Sequence, residues 1–277
     1  MSEPAAAASP SYGDDRDWLL RFAPAAQGPA LAALFAVEQQ VLESLRPDLE
    51  HQVAHVRLEW WQDELVRLAQ GIPRHPATRT LAAASRSRGA TPADLAGLVE
   101  HVRVDLASVA FLSRGELDEH LGNWGSSVFR EAALSHPDVA VATPARAAAE
   151  RLCASTGRAV RELELLAEFS RHARAGRVYV PLEEPQAHAR WLARPLDPLE
   201  TSMLRQRRAE LCETLRLQAR SIDPTHLPAL RVPLLWMSFA AQASVPHRAS
   251  RSPLRRTMSA WRAALAISRG RLPTALR

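Results

Sequence analysis

The chain has 277 residues, 47% of them hydrophobic and 5% aromatic, enough to bury a substantial core as one large or two small domains. Its formal charge of +5 rests on arginine alone, because no lysine occurs, and most arginines alternate with Asp and Glu as on solvated helix faces, which speaks against a nucleic-acid partner. There is no run of about 18 uncharged apolar residues that could span a membrane, no glycine-rich phosphate loop and no Gly-x-Ser-x-Gly.

Alanine, leucine and arginine dominate and no strand alternation stands out, so the expected fold class is all-α. The N-terminal MSEPAAAASPSYG lacks a basic and an apolar segment; residues 1–13 are read as a disordered leader and the protein as cytoplasmic. A helical domain is expected over 14–245. Asp17–Phe22 is a short helix halted by Pro24, Pro29 opens Ala30–Leu45, and Pro47 separates that from Asp48–Ala69. The last of these carries Arg57-Leu58-Glu59-Trp60-Trp61-Gln62-Asp63-Glu64-Leu65, whose double tryptophan fits core packing better than a ligand platform.

Thr91-Pro92 caps a helix Ala93–Leu112, and Ser113 with Glu116 forms a capping box for the next. There Leu121-Gly122-Asn123-Trp124-Gly125-Ser126-Ser127 gathers small residues, which either allow close helix approach or leave room for a ligand. Thr143-Pro144 caps a long central helix; others run from Asp197-Pro198 to about Ser221, from Pro224 to Ala243 and from Arg251 to Ser268. Cys153 and Cys212 show no metal-ligand spacing and read as buried free thiols. Residues 246–277 form an arginine-rich helix or tail without an acid from Arg248 onward, suited to an anionic membrane surface or a protein partner, so the protein is expected at the membrane periphery as well as in the cytoplasm.

The central helix runs into Leu166–Pro181, LAEFSRHARAGRVYVP. Glu168 and His172, four apart, share a helix face. Arg171 and Arg174 follow, Gly176 is a C-terminal stop, and Arg177-Val178-Tyr179-Val180-Pro181 reads as an extended exit. The same pattern fits a solvated helix end with cations near the negative end of its dipole.

The Gly176–Pro181 ending resembles the second aspartate-rich motif of the squalene/phytoene synthase family, in which a helix with two aspartates four apart runs into a loop ending Arg-x-Tyr-x-Pro. The tryptophan helix and His75-Pro76 are similar to the family's third helix, and the resemblance covers roughly Asp17 to Leu235. It implies an isoprenoid-synthase-like helical bundle around a central cavity, where magnesium ions held between two aspartate-rich helices would neutralise a departing pyrophosphate. In this chain the second motif's aspartate positions hold Glu168 and His172. Counting from Phe35, those of the first motif fall at Leu42, Glu43 and Arg46. Leucine offers no lone pair, arginine repels a divalent cation, and imidazole is a poor magnesium ligand. Glu59 and Asp63 read as an ordinary solvated face.

The resemblance thus implies a divergent member without magnesium-dependent prenyltransferase activity, binding an isoprenoid diphosphate, another lipid or, in the manner of an assembly factor, a protein. The substrate-binding residues it implies are Glu43, Arg46, Glu168, Arg171, His172, Arg177 and Tyr179, with Glu43 and Glu168 directed inward from facing helices and Arg46 opposite Glu168 and His172. No cofactor is expected. Magnesium belongs to the alternative in which the site still condenses two prenyl diphosphates head to head, and a third reading is a helical interaction protein using its basic tail.

Overall fold

The computed structural model describes residues 13–87, 89, 93–107, 110–140, 143–183, 198–243 and 253–277, and every regular element among them is helical. The leader, except Gly13, and residues 244–252 of the expected domain boundary and tail lie outside the described residues.

Prolines punctuate the first elements. Helix α1 (Gly13–Phe22) ends ahead of Pro24, and α2 (Gly28–Leu42) carries Pro29 in its first turn, where a missing N–H leaves no hydrogen bond unmade. Helix α2 begins two residues before the expected Ala30 and ends three residues before the expected Leu45. Glu43–Leu45 tighten into a 3-10 turn and Arg46 is extended, with φ −61° and ψ 135°, because Pro47 disfavours helical backbone in the residue before it.

Helix α3 (His51–Ala69) buries Trp61 while Trp60 stays 44% exposed, so the tryptophan pair divides between core and surface. Helix α4 (Pro76–Ser87) was not anticipated from the sequence. Its start is fixed by the buried carboxylate of Glu64 on α3, which accepts from the backbone N–H of Arg74 (2.7 Å) and His75 (2.8 Å) and from the Thr78 hydroxyl.

Helix α5 (Ala96–Ala107) begins beyond Thr91-Pro92, which lie outside the described residues. Ser113 Oγ accepts from the N–H of Glu116 at 3.2 Å to cap α6 (Arg114–Trp124), and the Glu116 carboxylate reaches back to the N–H of Leu112 rather than of Ser113. A π-helical turn, Gly125–Phe129, joins α6 to α7 (Arg130–Ala133), followed by α8 (Pro137–Ala140).

The 24-residue α9 (Pro144–Ala167), capped by Thr143 Oγ1, is the axis of the molecule. It packs against α6, the π turn, α11 (Pro198–Arg220) and α12 (Arg231–Ala243). Where it crosses the π turn, Gly125 meets Gly157 so closely that a Cβ on either would lie 2.9 Å from the other's backbone. Close helix approach is therefore what this glycine serves. Helix α12 is buried without a break from Val232 to Ala241 and forms the innermost wall, and α13 (Pro253–Ser268) packs on α12 and α1. Both cysteines are free and buried, and burial pushes the Cys153 thiol up to about 12. No helix among the described residues is long and apolar enough to cross a membrane.

Candidate functional site: a cavity floored by buried ion pairs

A cavity of about 660 Å³ opens between α1, α2, the turn after α2, the end of α5, α9 and α10 (Phe169–Arg174). One wall is apolar, built from Leu20, Ala32, Phe35, Ala36, Leu42 and Leu45. The other is charged. Helix α2 delivers both, because its apolar positions continue into the core while Glu38, Gln39 and the following Glu43 line the cavity, Glu38 turned toward Arg16 of α1.

Arg16 floors the cavity. It grips Glu38 with two guanidinium nitrogens, at 2.9 and 3.2 Å, and also pairs with Glu164 on α9. All three are nearly sealed from solvent. Trp124 Nε1 donates to Glu38 at 2.8 Å, Trp236 Nε1 donates to Glu164 at 2.7 Å, and the Arg16 guanidinium lies 4.3 Å from the centre of the Trp236 ring. Buried charge survives here because each carboxylate has both a cation and an indole donor. Sequence reasoning missed this triad. A lone glutamate inside the apolar run Leu34-Phe35-Ala36-Val37-Glu38 was the signal available for it.

Beside the floor, Arg161 donates to Nε2 of His101 from Nε (3.2 Å) and Nη2 (2.8 Å). Since arginine only donates, Nε2 is the acceptor and Nδ1 carries the proton, which it gives to the carbonyl of His120 at 3.0 Å. Burial, reinforced by His120, lowers His101 to about 4 and keeps it neutral. His120 stacks on His101, with ring centroids 4.1 Å apart, and its Nε2 lies 3.1 Å from Asp105, yet neither of its ring nitrogens makes a well-directed hydrogen bond. Burial alone would push Asp105 up, but His101, His120 and the Tyr179 hydroxyl together hold it below its usual value. Tyr179 itself is pushed well up by burial and by Asp105.

The residues read from the sequence divide between cavity and flank. Glu43, Arg46, Arg171, His172 and Arg177 line the cavity; Glu168 and Tyr179 lie behind its wall. Arg46, expected opposite Glu168 and His172, lines the cavity together with His172 and pairs with Asp48, both side chains being exposed. Glu43 is held by Arg57 of α3 at 3.0 Å. The helix expected to run unbroken through the second motif breaks at Glu168 (φ −106°, ψ 20°), whose carbonyl accepts from the N–H groups of Arg171 and His172 and starts α10. Glu168 pairs with Arg171, and His172 Nε2 still comes within 3.7 Å of it. Burial raises Glu168 and lowers His172 to about 3, the latter with help from Arg171 and Arg161.

Gly176 ends α10 with φ +79°. Its N–H donates to the carbonyl of Ala173 and that of Arg177 to the carbonyl of His172, the paired closure that favours glycine at this position. Arg177 then donates to the carbonyls of Asp105 (3.1 Å) and Leu45 (3.3 Å), tying the exit loop to α5 and to the turn after α2. The extended exit continues beside residues 111–112, with Leu182 N–H donating to the carbonyl of Phe111 at 2.8 Å.

These donors do not fit magnesium, which requires convergent oxygen ligands in near-octahedral geometry. Glu43 and Glu168 are each engaged by an arginine, and Leu42, Arg46 and His172 supply no oxygen. Among the described residues the one group of three metal-ligating side chains is His101, Asp105 and His120, to which neither motif carboxylate belongs. In that group the two imidazoles stack on one another, and Arg161 already occupies the His101 Nε2 lone pair.

None of the curated proteins matches the chain in sequence. The squalene/phytoene synthase family model matches residues 10–266, from the leader into the last turn of α13, and takes in helices α2, α9 and α10 beside the cavity. With that match over most of its length, the chain belongs to the squalene/phytoene synthase family.

Proposed function

We propose that this protein is a non-catalytic member of its family that holds an anionic isoprenoid or related lipid in the central cavity through arginine contacts, without magnesium. The observation that carries this reading is the commitment of both motif carboxylates to arginines, Glu43 to Arg57 and Glu168 to Arg171. A pyrophosphate leaving group in such a site would lack the magnesium ions that neutralise its developing charge. The apolar wall suits a prenyl or acyl chain, and Arg46, Arg171 and Arg177 at the mouth suit a head group, because guanidinium binds phosphate oxygens bidentately without a bridging metal.

Calorimetry with a non-hydrolysable prenyl diphosphate analogue, with and without chelator, tests the proposal. Binding is expected to survive chelation and to weaken about tenfold in Arg171→Ala, since a charge-assisted contact contributes about 1.5 to 3 kcal/mol. Binding that appears only with magnesium, or magnesium-dependent release of pyrophosphate from farnesyl or geranylgeranyl diphosphate, would establish the catalytic alternative. Absence of binding under both conditions would transfer function to the outer surface.

A further inference from the structure

Helix α13 carries two apolar faces. Ala260, Ala263, Ala264 and Ile267 are buried toward α12 and α1, as in any surface helix. On the other side Leu254, Met258 and Trp261, spaced i, i+4 and i+7, form a second stripe that is 69%, 43% and 55% exposed. At 3.6 residues per turn these three fall within about 60° of one another. Arg255 and Arg262 lie along one flank of the stripe and are exposed, whereas Arg256 points away and pairs with Asp15. Beside that flank is a hollow of about 700 Å³, closed on its far side by Arg216 of α11 and based on Ser238, Gln242 and Ser259. Among the described residues no acidic side chain lines it, and none occurs from Arg248 to Arg277 in the sequence.

We propose that this face seats the protein on an anionic lipid bilayer, with Leu254, Met258 and Trp261 entering the interface and Arg216, Arg255 and Arg262 receiving lipid phosphates in the hollow. Charge and shape select this occupant. Tryptophan prefers the level of the head groups, a basic flank beside an apolar stripe is the pattern of a helix lying in the interfacial plane, and the hollow offers hydroxyl and amide donors behind its cations. A second copy of the chain would bring the same arginines, Arg255 and Arg262 among them, to the seam against one another. The proposal does not depend on what the central cavity binds.

The test is flotation of the full chain with phosphatidylcholine vesicles, with and without one-fifth phosphatidylglycerol. The protein is expected on the anionic vesicles alone, with binding that falls as salt is raised. Arg255→Gln and Arg262→Gln should each weaken it about fivefold. The triple variant Leu254→Ser, Met258→Ser, Trp261→Ser should stay in the soluble fraction. Because these side chains are exposed, melting temperatures should not move, which separates loss of docking from loss of fold. Absence of vesicle binding, equal binding to neutral vesicles, or undiminished binding by the triple variant would overturn the proposal, and the last would assign the lipid contact to the cavity instead.

Discussion

Arg16 and Glu38, on consecutive helices, form a two-nitrogen ion pair at 2.9 and 3.2 Å beneath the central cavity, and both are almost wholly buried. The pair fastens α1 to α2, and through Glu164 it fastens both to α9. Removing only the cation leaves two buried carboxylates facing each other. Arg16→Met is therefore expected to lower the free energy of unfolding by about 3 to 5 kcal/mol in urea titrations, whereas Arg16→Met combined with Glu38→Gln should recover part of that loss. A cost below about 1 kcal/mol would mean that the triad is not structurally important.

The crossing of the π turn over α9 leaves no room for a methyl group. Gly157→Ala and Gly125→Ala each place a carbon against backbone that cannot swing aside, and each is expected to destabilise by about 1 to 3 kcal/mol. Gly122→Ala, where a Cβ would meet nothing within 4 Å, should be neutral or stabilising because alanine is the better helix former. Thermal melts of the three variants check this ordering.

Protonation of His101 should destabilise the fold. Its value falls from the ordinary 6.5 to about 4 on folding, so the unfolded chain takes up the proton first and stability is lost as the pH drops from about 6.5 toward 4. Glutamine retains a donor and an acceptor but does not titrate. The stability gap between the wild type and His101→Gln should therefore narrow by roughly 2 to 3 kcal/mol between pH 7.5 and pH 4.5. Chemical denaturation at the two pH values measures it, and a constant gap would show that His101 does not carry this linkage.

Neither cysteine should react in the native state. Both thiols are buried, and burial holds Cys153 near 12, so the thiolate that attacks a disulfide reagent is scarce at pH 8. Ellman's reagent should titrate no thiol in the native protein and two after denaturation.

Much of this molecule was legible in the sequence because its signals are local. Prolines at 24, 29, 47 and 144, Thr143 as a cap and Gly176 as a stop mark helix ends by the backbone geometry they permit, and the structure breaks the chain at those places. The all-α class and the family follow from residue identity along the chain. Pairings between distant segments left no such trace. Nothing within a few residues of Arg16 announces Glu164, 148 positions away, or that Glu64 would organise the start of α4. Gly125 could equally have served a ligand until Gly157 was found against it. The sequence placed Glu43, Arg46, Glu168 and His172 in one frame, but only the tertiary structure gave Glu43 its partner, Arg57 of α3. The early end of α2 leaves Arg46 with its near neighbour Asp48, and the break at Glu168 leaves that carboxylate with Arg171 three residues on, whereas the pairing of Glu43 with Arg57 depends on how α3 packs against the turn after α2, which local spacing does not encode.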